Sequence, residues 1–335
     1  MTDHDAGYSN RTVFSIENDA LRYTWAGYSL FVIVSSFIGD TTILIASIKY
    51  RAFRLHKAII VIIQHIAFSD LMVSGTDILP RFVSTVANDW VLGSFLCYLT
   101  GYGRFFFNAA SVLLLCALTS SKLLLLKYPL RFRTTTVKQA HIFCYVACWL
   151  VAAGLPASFL LVDMYDIHFS YKDYQCIYAA TSDVWLWLKL LHAVFYVMIP
   201  TGFVVACTIF LLIVAKRFAR RGQESLKLQG TMAIVLTAVV YCISFLPYVL
   251  FRIVESVVVK ADPEESQRIF LANFYRVVLS FVSLNTISNF FIYSLTVDSF
   301  RRFVLSRILP TRRSFSVTSS RTFTTDINNQ GEWPD

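Results

Sequence analysis

The feature that most constrains this chain is a series of apolar windows, each long enough to cross a lipid bilayer. A helix needs about 20 apolar residues to span a hydrocarbon core of about 30 Å. Seven windows reach this length, at 25–50, 58–80, 95–126, 142–162, 187–215, 228–254 and 274–297. Because 56% of the 335 residues are hydrophobic and only 15% are charged, a soluble domain of this size could not bury them. We therefore predict an all-α membrane protein, a bundle of seven transmembrane helices.

The loops between the windows predict its orientation. Lysines and arginines gather after windows 1, 3, 5 and 7, and acids gather after windows 4 and 6. Since basic loops are retained on the cytoplasmic side, residues 1–24 should be extracellular and the tail, 310–335, cytoplasmic. No cleavable signal pattern precedes window 1, so this window is expected to act as a signal anchor in the plasma membrane. The net charge of +9 then reflects topology and anionic inner-leaflet lipid, and nucleic-acid binding is not expected.

Two covalent features agree with this topology. Asn10 begins a glycosylation sequon, which can be used only on the outer face. Five of the seven cysteines fall inside windows, where a small buried hydrophobic residue is the expected role. Cys97 and Cys176 lie outside the membrane core on the oxidising side, so we predict a disulfide between them.

An ordered set of mostly polar, aromatic, glycine and proline residues runs across the windows. Its members are Ala67, Asp70, Trp90, Gly93, Cys97, Trp149, Pro200, Phe245, Pro247, Asn289 and Tyr293. This set resembles the pattern of the rhodopsin-like (class A) G-protein-coupled receptor family. A short amphipathic segment at 298–309 is similar to the family's membrane-lying eighth helix. The resemblance implies a receptor for an extracellular ligand that signals to a heterotrimeric G protein, with arrestin and receptor kinases as further partners.

The resemblance also implies a cation site around Asp70. Ser111, Asn285 and Asn289 match the positions that complete a sodium pocket in the family, and all supply oxygen atoms suited to a hard cation. Asp40 stands where the family usually has asparagine. Two nearby carboxylates in a low dielectric should share a proton or a cation, which predicts sensitivity to pH or sodium. The alternative is a hydrogen-bond network that only satisfies buried polar groups. No other cofactor is predicted.

Arg104 occupies the position that faces ligands in the family. Aminergic receptors need an aspartate there, so an ammonium ligand is not expected. We expect Arg104 to favour an acidic or carbonyl-bearing ligand, with Asn108 and Arg252 in support. Counting along antiparallel windows 2 and 3 puts Asp77 level with Arg104, so an internal ion pair between them is the alternative interpretation. Retinal would need a lysine in window 7, but Ser283 stands at the matching place, so an opsin is not expected.

Two prolines are predicted to let the bundle switch. Pro200 and Pro247 each remove a backbone hydrogen bond within a window and should bend their helices. Phe245 replaces the family's usual tryptophan two positions before the second proline, and is expected to report ligand binding. Asn289 and Tyr293 share one face of window 7 and complete the predicted switch.

The cytoplasmic end departs from the family pattern. Lys122 keeps the positive charge that the family places at the end of window 3, but Ser121 replaces the acid beside it. A second acid that often restrains this charge is replaced by Lys227. Raised basal activity is one hypothesis, and atypical coupling or a non-signalling receptor partner is the other. In the tail, Arg312 and Arg313 precede Ser316 as a basophilic kinase prefers, although a merely disordered polar tail explains the same composition.

Other functional classes are disfavoured. A transporter usually shows internal repeats with broken helices in matching halves, and these windows do not repeat. An enzyme would need a nucleophile beside a base or a metal cluster, whereas the six histidines are scattered singly. We therefore predict a receptor and no enzymatic activity.

Overall fold

The structure is a computed structural model that describes residues 16, 18–49, 57–128, 135–161, 165–180, 193–220, 230–258 and 265–308. In this part of the chain, seven long helices precede a short one. They are α1 (Asp19–Lys49), α2 (Lys57–Ala87), α3 (Gly93–Lys127), α4 (Thr135–Leu161), α5 (a π turn, Ala193–Met198, followed by Ile199–Arg220), α6 (Thr231–Val258), α7 (Glu265–Thr296) and α8 (Asp298–Ile308). Strands β1 (Tyr165–Ser170) and β2 (Gln175–Ala180) form an antiparallel hairpin between α4 and α5.

The helices form a membrane bundle. Six are long and apolar enough to cross a bilayer, and α4 adds a seventh of 27 residues with an apolar stretch at Ile142–Gly154. Large side chains such as Phe95, Phe143 and Leu295 are mostly exposed on the outside, where lipid rather than water can cover them. Helix α3 packs against α2, α4, α5 and α6, and α1 packs against α2 and α7. The predicted seven-helix fold is confirmed.

Helix α2 contains a π turn, Ser74–Ile78, in its middle. The apolar window at 58–80 ends at a proline, yet the helix continues to Ala87. Pro80 does not end it because it lies in the first turn after the π segment, where its missing N–H is tolerated. Helix α7 likewise starts at Glu265, before its apolar window, because its first turns are polar and a hydropathy pattern does not include them.

The hairpin is anchored to one end of the bundle, which we call the hairpin end. A disulfide joins Cys97 at the start of α3 to Cys176 in β2, with 5.3 Å between the Cα atoms, so the predicted bond is confirmed. Its neighbours Tyr174 and Gln175 are buried as well, with 2% and 4% of their surface exposed. Helix α8 lies at the opposite end, which we call the α8 end.

Candidate functional site

The main cavity lies between α2, α3, α5, α6 and α7, and has about 630 Å³ of empty space when the open solvent at its mouth is included. Four of the five residues predicted for a ligand pocket line it: Asp77, Arg104, Asn108 and Phe245. Arg252 does not line it. Much of the remaining wall is aromatic or aliphatic, including Phe105, Tyr196, Tyr248, Tyr275 and Leu279. An apolar cavity with a few convergent polar groups is the usual form of a ligand site.

The polar groups of the main cavity form a relay that the sequence did not reveal. Arg104 donates from Nη1 to Oε1 of Gln175, and Nε2 of Gln175 donates to both the backbone carbonyl and the carboxylate of Asp77. Asp77 also accepts from Arg81 at 2.7 Å. Among the described residues Asp77 and Arg104 make no direct ion pair, because the hairpin inserts the carboxamide of Gln175 between them. Their charges still interact across Gln175.

The other predicted pocket residues act through neighbours. Asn108 donates from its amide to the carbonyl oxygen of Arg104 at 2.8 Å, one turn away on the same helix. Arg252 lies 5.9 Å from the ring centroid of Tyr275, which does line the cavity. Lys172, in the hairpin turn, lies 4.9 Å from the same ring. Burial lowers the pKa of Lys172 from 10.5 to about 8, although the charge of Asp173 acts in the opposite direction.

The predicted cation site is only partly assembled around Asp70. Its carboxylate accepts hydrogen bonds from Ser111 at 2.9 Å and from Asn289 at 2.8 Å. Asn285, the third predicted partner, makes no side-chain bond to Asp70 among the residues that the structure describes. Asp40 is buried nearby, where it accepts from a serine of its own helix and interacts electrostatically with Asp70. Within the described ranges, Oδ1 of Asp40 and Oδ1 of Asn289 have no hydrogen-bond donor, and such oxygens fit a hard cation.

The predicted switch residues lie along the core from the main cavity toward the α8 end. The rings of Phe245 and Tyr241 are 4.6 Å apart, and the hydroxyl of Tyr241 is 3.0 Å from that of Thr201 on α5. Pro247 lies inside α6, and Pro200 is buried where the π turn of α5 gives way to its α-helix. A change at Phe245 can therefore reach both proline-containing helices through one aromatic pair.

The α8 end holds the remaining switch residues. Tyr293 is buried and its ring lies 6.4 Å from that of Phe300 on α8. Lys122 is 1% exposed, unusual for a lysine, and Ser121 beside it is also buried.

The positions predicted for glycosylation, phosphorylation and the second cytoplasmic charge, Asn10, Ser316 and Lys227, lie outside the described residues.

Sequence reasoning missed two residues of the site. Arg81 follows Asp77 by four residues on one helix, a spacing that predicts an ion pair and could have identified it. Gln175 had a weaker signal, since it only neighbours a disulfide cysteine. Its role depends on how the hairpin docks.

Comparison with known proteins identifies the class. Residues 39–293 match the 7 transmembrane receptor (rhodopsin family), and the chain belongs to that family. It is 18% identical over 301 residues to a QRFP-like peptide receptor of Branchiostoma floridae, covering 82% of this chain and 74% of that protein. It is 25% identical over 238 residues to cysteinyl leukotriene receptor 1 of Mus musculus, covering 67% and 64%. The crystal structure of squid rhodopsin superposes with a TM-score of 0.72 at 14% identity, covering 88% of this chain and 87% of the other.

Proposed function

We propose that this receptor binds a ligand with an acidic or carbonyl group in the main cavity, where the ligand contacts Arg104, and that movement of α6 then signals to a G protein. The main support for this proposal is that Arg104 lines an otherwise largely apolar cavity. A guanidinium group prefers planar oxygen acceptors and forms strong charge-assisted hydrogen bonds with them.

The charges behind the cavity wall support this ligand class. Lys172 and Arg252 both lie over the ring of Tyr275, which lines the cavity, so two further cations lie close to it. Asp77 lines the cavity but is already held by Arg81, so it is a poor counter-ion for an ammonium ligand. An aminergic ligand is therefore disfavoured.

A retinal ligand is disfavoured by the chemistry of α7. Ser283 is buried and donates to the carbonyl of Leu279 at 3.1 Å, and a hydroxyl cannot form the Schiff base that retinal needs. The relatives do not indicate one alternative, since their names mention a peptide, octopamine, a leukotriene and chemokines. The cavity itself is the better guide to the ligand.

The remaining parts of the proposal concern place and regulation. The hairpin end is extracellular and the α8 end cytoplasmic in the plasma membrane, in agreement with the basic loops. Sodium binds beside Asp70 and Asp40. Asn10 carries a glycan, and phosphorylation of Ser316 by a basophilic kinase prepares the tail for arrestin. No enzymatic activity is part of this function.

The α8 end leaves two outcomes for signalling. Lys122 stands where the family has arginine, and Ser121 cannot supply the usual acidic restraint, which favours raised basal activity. Basal second-messenger output across several G proteins, compared with empty cells, tests this. Output no higher than in empty cells would favour the second candidate, a receptor partner that does not signal by itself.

The ligand proposal is tested by a screen with arrestin-recruitment and G-protein readouts, with and without sodium and at two pH values. For a hit, Arg104→Gln should lower potency about tenfold or more, since a hydrogen bond to a charged group contributes about 1.5–3 kcal/mol. Arg22→Gln is the matched control, because Arg22 pairs with Asp19 and lines neither cavity. Surface expression is measured for both variants. Unchanged potency in Arg104→Gln would refute the assigned contact.

A further inference from the structure

A second cavity lies at the hairpin end between α1, α2, α7 and the turn of the hairpin. It opens to the outside and has about 390 Å³ of empty space when the open solvent at its mouth is included. Its polar wall is formed by Trp25, Tyr28, Arg81, Asp173 and Arg276. It is separate from the main cavity, since the two share only Leu279.

Four polar atoms of this wall are buried and have no hydrogen-bond partner in the part of the chain that the structure describes. Three are donors, Nε1 of Trp25, Nε of Arg81 and Nε of Arg276, and one is an acceptor, Oδ1 of Asp173. Other groups of the wall are engaged: the hydroxyl of Tyr28 donates to the carbonyl of Ser280 at 2.5 Å. A buried polar atom without a hydrogen-bond partner is unfavourable, so a ligand that supplies partners to these atoms is stabilised in the cavity.

We propose that the second cavity binds the zwitterionic head group of a free α-amino acid. Its carboxylate accepts hydrogen bonds from Arg81 and Trp25, and its ammonium group donates to Asp173. This assignment of the second cavity holds whatever the chemical identity of the ligand in the main cavity.

A zwitterion fits better than either charge alone. A plain carboxylate would lie near Asp173 and leave its buried oxygen without a donor. A plain amine would leave the N–H groups of Arg81 and Trp25 unsatisfied beside a second cation, Arg276. A head group with both charges supplies a charged acceptor for the arginine and a charged donor for Asp173 within one small molecule.

The rest of the wall suits an apolar side chain. Ile16 and Leu279 line the cavity and are both buried. The backbone N–H of Ile16 donates to the hydroxyl of Tyr174 at 2.9 Å, which holds the isoleucine against the hairpin. An aliphatic amino acid such as leucine therefore has both polar and apolar contacts in this cavity.

Arg81 connects this site to the main cavity. It lines the second cavity and binds Asp77, which lines the first. A carboxylate bound at Arg81 competes with Asp77 and so changes the relay that holds Arg104. Binding at one cavity then alters affinity at the other, and by thermodynamic linkage the effect is reciprocal.

The test measures the thermal stability of the purified full-length receptor in detergent with three matched probes. L-leucine carries both charges, 4-methylpentanoate lacks the ammonium group, and 3-methylbutylamine lacks the carboxylate. We expect L-leucine to raise Tm saturably and each of the others to need about tenfold or higher concentration, since each forfeits at least one hydrogen bond to a charged group.

Variants locate the binding. Trp25→Phe keeps the ring and removes one donor, and Asp173→Asn removes the acceptor charge, so both should raise the apparent Kd for L-leucine about tenfold. Trp149→Phe is the control, because its Nε1 donates to His65, away from both cavities. No L-leucine shift, or an equal shift with 4-methylpentanoate, would overturn the proposal. A shift lost in Arg104→Gln but kept in Asp173→Asn would also overturn it, by placing the probe in the main cavity and supporting the proposed function.

Discussion

Replacing Asp77 by Asn should destabilise the receptor more than the loss of one hydrogen bond would. The Asp77 side chain is 7% exposed and that of Arg81 is 12% exposed, and their N–O distance is 2.7 Å. Arg104 reaches the same carboxylate through Gln175. The substitution therefore leaves two arginines near each other without the acid that the structure places between them.

The magnitude follows from this burial. Removing one partner of a buried ion pair costs about 3–5 kcal/mol, because the remaining charge is left uncompensated. At about 2–4 °C per kcal/mol for domains of 150–250 residues, a loss of about 3 kcal/mol lowers Tm by roughly 6–12 °C. Arg81→Gln alone should be costly too, but the double variant Asp77→Asn/Arg81→Gln should cost less than the sum, with a coupling free energy of about 2 kcal/mol.

Thermal unfolding of the detergent-solubilised receptor measures these shifts. The control is Asp19→Asn, since Asp19 pairs with Arg22 at the same 2.7 Å distance but is 71% exposed. An exposed pair of this kind contributes about 0–1 kcal/mol. If Asp77→Asn lowers Tm no more than Asp19→Asn does, Asp77 is not a buried counter-ion and the reasoning is refuted.

Three further predictions concern packing, the disulfide and pH. Gly39→Ala should lower Tm while Gly27→Ala does not, because a Cβ at Gly39 would lie 2.8 Å from Cβ of Phe290 and one at Gly27 meets nothing within 4 Å. Cys97→Ser should speed hydrogen exchange in the hairpin and lower Tm, since the bond closes a loop of 79 residues and contributes about 4 kcal/mol. Hairpin docking should strengthen as pH rises above 8, because docked Lys172 loses its proton before an undocked lysine does; hydrogen exchange, corrected for its intrinsic rate, checks this, and Lys172→Met should remove the pH dependence.

The sequence predicted those parts of the molecule that local rules determine. Bilayer thickness determines the length of the apolar windows, so seven helices could be counted before any contact was known. The resemblance to the receptor family placed Ser111 and Asn289 beside Asp70, and both donate to it. Because Cys97 and Cys176 were both placed on the oxidising side of the membrane, the disulfide between them could be predicted.

The parts that depend on tertiary docking could not be predicted in this way. Counting residues along the antiparallel windows 2 and 3 put Asp77 opposite Arg104 correctly. It could not predict that Gln175, from a distant segment, would lie between them. The π turn at Ser74–Ile78 could not be predicted either, because the i→i+5 hydrogen bonds of a π turn are not associated with a characteristic amino-acid composition. Contacts could be predicted where both partners lie on regular helices, and less well where a loop supplies one of the partners.

Because α2 contains a π turn, the directions of the Asp77 and Arg81 side chains depend on how many residues precede them in the helix, and not only on which residues these are. One extra residue in a helical turn rotates everything after it by about 100° relative to a regular helix. Deleting Gly75, where an added Cβ would meet no atom within 4 Å, would let Ser74–Ile78 relax to an ordinary turn and swing Asp77 out of the main cavity and Arg81 out of the second cavity. A single-codon deletion would thus disconnect the two cavities in one step while leaving the chemistry of every remaining side chain unchanged, an effect that no point substitution could reproduce.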